Sequence, residues 1–380
     1  MDARPFAFAA FALLAGCASP TTEPETQPDP PASASPPPSA EPASPNEEAC
    51  TAESAALQRA IDAAHGVDTD VAVAVKTPSC GMRTITSGPS KLDAKRLHRI
   101  GSVTKTYVAA VVLGLVDEGA IRLDDKISRW VDFVPNGDAI TVRMLLDHTS
   151  GLFNYTNDAA FRRTSPMRAW TPRELVEVAT GNPPYFAPGT SWTYSNTNYI
   201  LLGLIAESAG KAKIGALVRT RVLAKLGLDA TFFEGEEPVV GAMAPGQDAS
   251  GRDVTNGAHP SGPWAAGAMV ATPSDVAVWI EALGSGTFHP PAIQAQLLAP
   301  VPTGERNLSY GLGVFLLGKQ LTAGGGPAVG HGGDIRGYHT QAFYFPEKKI
   351  TVVAIVDSDA ESSNDVSAAA MKVVFGSGAP

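Results

Sequence analysis

Apolar positions recur along this chain in two periods, and the places where each period holds outline the architecture. Near the start, VAVAVK (Val71 to Lys76) and MRTITS run or alternate apolar on either side of a break bounded by Pro78 and Gly81, which predicts a pair of strands. Near the end, SYGLGVFLL, GYHTQAFYF and ITVVAIVD predict three more. Between them the spacing turns helical over Ser102 to Asp117, Thr171 to Ala179, Thr197 to Ser208, Ile214 to Leu226 and Pro273 to Leu283, with another helix expected over Ala52 to Ala64. Strands at both ends enclosing a helical block predict an α+β (α/β sandwich) fold. One antiparallel sheet is built from both chain ends, with flanking helices and a mostly helical insertion.

The first fifty residues do not share this patterning. Residues 1–17 hold a short apolar run from Pro5 to Ala15 behind Arg4, too short to span a bilayer, and read as a secretion signal. It ends in Leu14, Ala15, Gly16 and Cys17, which resembles the lipobox of bacterial lipoproteins and marks Cys17 for lipidation; an ordinary signal peptide that contains a cysteine is the alternative. Residues 18–49 are nearly all Ala, Pro, Ser, Thr and Glu, a composition that buries too little apolar surface to fold and reads as a tether. At about 3.1 Å per residue such a chain reaches on the order of 90 Å when fully extended. The remainder, 50–380, is expected to form one domain.

Charge and cysteine content narrow the classes further. Six carboxylates sit in the tether, so of the formal charge of −9 only −3 belongs to Cys50 onward, and no basic patch points to nucleic acid. Of three cysteines, Cys17 is assigned to lipid and Cys50 and Cys80 are expected to pair in an oxidising compartment, two unrelated buried thiols being the alternative. No cysteine or histidine motif has zinc spacing, and neither a metal nor an organic cofactor is expected.

Three stretches carry candidate chemistry. In RIGSVTKTYVAAVVLGLVDEG, Ser102 starts a helix and Lys105 follows one turn later on the same face, where an apolar cleft lowers proton affinity and makes an ammonium into a base. A second S-x-x-K, Ser208 to Lys211, falls at a helix end and presents no free N–H groups. In FAPGTSWTYSNTNYILLGLIAESAG, a tyrosine of depressed pKa at Tyr194 would move a proton and Asn196 would donate its amide to a carbonyl; a turn anchor and a helix cap read equally well. In GHGGDIRGYHTQAFYF, His331, Gly332 and Gly333 open a strand at whose edge glycine lets a ligand approach. No G-x-S-x-G elbow occurs, and GVFLLGKQ lacks the last residue of a phosphate-binding loop.

In order and spacing, S-x-x-K, Y-S-N and H-G-G resemble the active-site set of the serine β-lactamase and penicillin-binding protein superfamily. The likeness runs from Glu53 to Phe375 and includes TVRMLLDHTSGL and YGLG. It is greatest to the branch of class C β-lactamases, soluble D-alanyl-D-alanine carboxypeptidases and related esterases. The resemblance implies Ser102 as an acylated nucleophile, Lys105 and Tyr194 as the proton-transfer pair, and Asn196 as a substrate contact. It further implies His331 and Gly333 as the far wall, and the backbone N–H groups of Ser102 and Asp334 as an oxyanion hole. His-Gly-Gly stands where class C enzymes carry Lys-Thr-Gly, so a partly charged histidine replaces a fixed cation; Arg336 is a candidate to restore a positive charge, which Asp334 would offset. A lipid-anchored hydrolase of the bacterial envelope, facing the periplasm or exterior, is therefore expected. Its expected substrates are D-alanyl-D-alanine peptides, with esters or β-lactams as alternatives and peptidoglycan as a partner. A non-catalytic penicillin- or cell-wall-peptide-binding protein is the alternative of another class. Phe153, Tyr155 and Trp264 are candidate pocket aromatics, with core packing an equal alternative for each.

Overall fold

Residues 45–376 are described by a computed structural model. The expected signal peptide with Cys17 and most of the expected tether lie outside the described residues. Regular structure begins with the helix Pro45–Asp62, several residues ahead of the expected start at Ala52.

The strands are β1 (Val71–Thr77), β2 (Gly81–Ser87), β3 (His98–Arg99), β4 (Thr231–Phe233), β5 (Met269–Ala271) and β6 (Val301–Pro302), followed by β7 (Leu308–Tyr310), β8 (Phe315–Leu317), β9 (Ala328–Ile335), β10 (Tyr338–Phe345) and β11 (Ile350–Val356). Eight form one antiparallel sheet in the order β2-β1-β11-β10-β9-β8-β7-β6, so the strands from the two chain ends meet at β1 and β11, with Val73 opposite Ala354. A small sheet, β3-β5-β4, ties the start of the chain to the helical block.

Side chains on successive strand residues point to opposite faces, and the sheet uses both. Val71, Val73, Val75, Val352, Ala354 and Val356 pack under the first helix and the last, Ser363–Gly376, with Leu57, Ile61, Val366 and Ala370. Ala74, Ala342, Val353 and Ile355 face the helical block and join its core with Val108, Val112, Tyr199 and Ile280. A sheet buried on both faces reads as continuous apolar runs, which is why β1 and β11 stand out in the sequence.

Two local expectations change. SYGLGVFLL is a hairpin rather than one strand: the run breaks at Gly311 to Val314, where Gly313 takes φ +97° and the Gly311 N–H donates to the Val314 carbonyl. His331, Gly332 and Gly333 lie in the middle of β9 instead of opening a strand, because the chain enters the sheet at Ala328.

Candidate active site

The nucleophile candidate sits on a backbone contact. A 3₁₀ turn, Gly101–Val103, precedes the helix Thr104–Asp117, so Ser102 stands just before the α-helix expected to start with it. The turn lies against β9 so closely that a Cβ on Gly333 would come within 2.0 Å of the Ile100 carbonyl oxygen and 3.2 Å of the Ser102 nitrogen. Gly101, at φ +49°, would place a Cβ 2.9 Å from the Asp334 nitrogen. Glycine at both positions thus brings the backbone nitrogens of Ser102 and Asp334 to one small region beside the Ser102 hydroxyl.

Lys105 follows one helical turn later and is fully buried. Its Nζ stands 2.8 Å from Ser102 Oγ, donates to the Ala266 carbonyl at 2.6 Å, and lies 5.0 Å and 5.6 Å from the ring centres of Tyr194 and Tyr199. Burial among rings, with no carboxylate paired to it among the described residues, lowers its pKa well below the ordinary lysine value, while the charge of Asp334 pulls it partly back. An unprotonated amine has a lone pair, and here the lone pair has the serine hydroxyl within reach.

Tyr194 lies just ahead of the helix Asn196–Gly210. The depressed pKa expected for it is corrected: burial drives the phenol up, and the nearby Ser102 hydroxyl offsets only part of this. Its hydroxyl is buried without a well-formed hydrogen bond to protein, so it is a neutral phenol at rest. Asn196 is tied by its N–H to Asn154 Oδ1 at 3.1 Å and by its amide to Thr156 Oγ1 at 3.3 Å.

The sequence reading gave no role to His148, although it lies in the quoted TVRMLLDHTSGL. Its Nδ1 accepts from the Ser195 N–H at 3.3 Å and from the Asn198 amide at 3.0 Å, which puts the proton on Nε2. Its ring packs 4.3 Å from that of Tyr194, so it fixes the Tyr194 segment from beneath, and burial keeps it neutral. Tyr310 was likewise missed. Its hydroxyl donates to His331 Nε2 at 2.9 Å while His331 Nδ1–H donates to the Gly332 carbonyl at 2.5 Å. Burial and the neighbouring Lys105 push His331 down to about 3. The partial positive charge expected of His331 is therefore absent at neutral pH.

Arg336 does not restore that charge. Its guanidinium donates to the Gly257 carbonyl at 3.2 Å and approaches Asp248 at 3.9 Å. Asp334 instead projects its own carboxylate, 81% exposed, and accepts from His339 Nδ1 at 2.7 Å.

Two clefts meet at Ser102 and Asp334. The first, about 320 Å³, is walled by Tyr155, Phe161, Trp170 and Asn196. The second, about 880 Å³, is bordered by Tyr194, Phe315, His331 and Gln341 and reaches Asp365 on the last helix. Tyr155 lines the first cleft, whereas Phe153 stacks on Tyr185 and Trp264 packs on Gly203 with its Nε1 donating to Glu236. A hydroxyl with a buried amine at its back, two backbone N–H groups at its side and a cleft on either hand is equipped for acyl transfer.

Comparison with known proteins agrees in extent and kind. Residues 63–374 match the family model described as Beta-lactamase. The crystal structure of a D-stereospecific amidohydrolase from Streptomyces sp. superposes with a TM-score of 0.75 at 31% identity, over 86% of this chain and 99% of that one. Penicillin-binding protein 4* of Bacillus subtilis is 30% identical over 142 residues, 37% of this chain and 31% of that protein, so this chain spans about a third of that relative. The D-alanyl-D-alanine-carboxypeptidase/endopeptidase AmpH of Escherichia coli is 26% identical over 68% of this chain and 70% of its own length.

Proposed function

The chain belongs to the beta-lactamase family, and from that premise we propose that it hydrolyses amide or ester bonds of D-amino-acid compounds through an acyl-enzyme on Ser102. The observation that carries this reading is the fully buried Lys105 amine 2.8 Å from Ser102 Oγ, at the junction of two clefts. Lys105 takes the hydroxyl proton as Oγ attacks the carbonyl, and the oxyanion accepts hydrogen bonds from the Ser102 and Asp334 N–H groups, each worth about 3 to 4 kcal/mol. Tyr194 hands its proton to the leaving group on the side of the second cleft and recovers one from the Lys105 ammonium. Water then enters where the leaving group stood, and the same groups run in reverse to release the acid.

D-stereospecific amidohydrolysis is the activity in the name of a structural relative matched over nearly all of its length, which supports the D-amino-acid class. Carboxypeptidase action on D-alanyl-D-alanine peptides is the second reading, favoured by the likeness to AmpH. The neutral His331 in place of a fixed cation weighs against a β-lactamase, and ester hydrolysis by the same acyl-enzyme route is expected as a side activity. In the same reading Cys17 carries a lipid that holds the enzyme to a bacterial envelope membrane, facing the periplasm or exterior, with the 18–49 tether giving it reach toward peptidoglycan. Among the described residues no helix is long and apolar enough to cross a membrane.

The test is side-by-side hydrolysis of a D-amino-acid amide, a D-alanyl-D-alanine peptide, nitrocefin and p-nitrophenyl acetate by the full chain and by Ser102→Ala. Turnover should fall by about 10⁴-fold or more in the variant, as for loss of a serine nucleophile. Unchanged turnover by Ser102→Ala would refute the mechanism, and a stable adduct without turnover would favour a non-catalytic binding protein.

A further inference from the structure

The charges around Ser102 are arranged for a substrate with an ammonium, not one with a terminal carboxylate. Lys105 and His331 are both buried, and burial disfavours the charged form of each. Among the described residues bordering the second cleft, the charged side chains are Asp334 and Asp365 alone, and Arg162 is the one arginine on the rim of the first. Asp334 borders both clefts, and its field reaches Lys105, Tyr194 and His331.

Asp334 is also held in place. His339, across the strand pair from it, accepts no partner of its own but lies between two carboxylates, with Nδ1 at 2.7 Å from Asp334 and Nε2 at 3.4 Å from Asp359. These partners outweigh burial and raise its pKa to about 9, so both ring nitrogens carry protons at neutral pH. Asp359 is in turn fixed by the Gly337 N–H at 2.7 Å. The group of two carboxylates and one imidazolium keeps one net negative charge, and Asp334 keeps an exposed oxygen free of the imidazolium.

We propose that the Asp334 carboxylate anchors the free α-amine of the acyl-donating residue, making this a hydrolase of aminoacyl amides, esters or short peptides with an unblocked N-terminus. The amine binds Asp334, the side chain enters the apolar cleft of Tyr155, Phe161 and Trp170, and the leaving group departs past Tyr194 into a cleft without a cation to hold a carboxylate. The same carboxylate repels the C-terminal carboxylate of a D-alanyl-D-alanine peptide. This inference rests on the acyl-enzyme reading above and names its substrate class.

The experiment compares D-phenylalanine p-nitroanilide with its N-acetyl derivative, using the full chain and Asp334→Asn, which keeps the backbone N–H. Labelling of Ser102 by a fluorophosphonate is measured in parallel. The wild type should prefer the free amine, and Asp334→Asn should lower that preference by about 10- to 100-fold, the size expected for a hydrogen bond between charged groups. The ratio is the readout, because any effect of Asp334 on Lys105 is common to both substrates. A wild type that cleaves the acetylated substrate equally well, or cleaves neither while Ser102 is labelled, overturns the amine anchor. Should Asp334→Asn fail to fold, Asp334→Ser is measured instead, and a preference left unchanged by either variant overturns the anchor. Absence of labelling overturns the serine hydrolase reading itself.

Discussion

In the proposed mechanism the protonation state of Lys105 decides whether Ser102 is reactive. A lysine in water holds its proton to about 10.4, but this one is enclosed by Tyr194, Tyr199 and the Ala266 carbonyl, and burial favours the uncharged amine. Because its pKa is lowered, the active form accumulates as pH rises, so kcat/KM should climb along an acid limb centred well below the ordinary lysine value. Arginine at this position keeps a cation but cannot give up its proton. Lys105→Arg should therefore lose about 10²- to 10⁴-fold in acylation rate, the range of general-base catalysis. Stopped-flow release of p-nitrophenol from an ester reads this directly, and a variant acylating at the wild-type rate would exclude lysine as the base. His331 is not a second titrating base over the same range, since its pKa lies near 3.

At the scale of elements, the site exists because a 3₁₀ turn and a strand approach to backbone contact, and two glycines permit it. Much of this was legible in the sequence: S-x-x-K before an apolar helix, Y-S-N before another, and H-G-G near three strand patterns. What was not legible depends on contacts between distant segments. A tyrosine of depressed pKa was the expectation at Tyr194, yet its neighbours in space are His148, Tyr310 and Phe315, which bury it. Asp334 and His339 are separated by a turn in sequence and joined across β9 and β10. The final helix was also missed: alanine favours a helix in SAAAMKVVF but leaves little apolar periodicity to read.

Another element-scale feature is the disulfide between Cys50 and Cys80, which fastens the first helix to the turn between β1 and β2. It closes a loop across a sequence separation of 30, and neither cysteine borders a cleft. Replacing both by alanine should cost about 3 to 4 kcal/mol of unfolding free energy by the loop-entropy argument, with turnover of the folded protein unchanged. Urea denaturation of the two proteins checks this, and coincident transitions would show that the bridge contributes nothing.

On the scale of the whole molecule, one sheet made from both chain ends carries β9, and the two clefts meet at its Asp334. In the proposed mechanism the larger second cleft, bordered by Tyr194, takes the leaving group, and the smaller one, bordered by Asn196, Phe161 and Trp170, takes the acyl group. Such a division has meaning only if substrate is cut at their junction with the acyl half retained on Ser102. The most direct measurement is the mass of the intact protein and of its Ser102 peptide, acid-quenched during turnover of a D-amino-acid ester. This account requires a mass increase equal to the acyl group, located on Ser102 and absent from Ser102→Ala. Product formation with no adduct, or with an adduct on another residue, would contradict it.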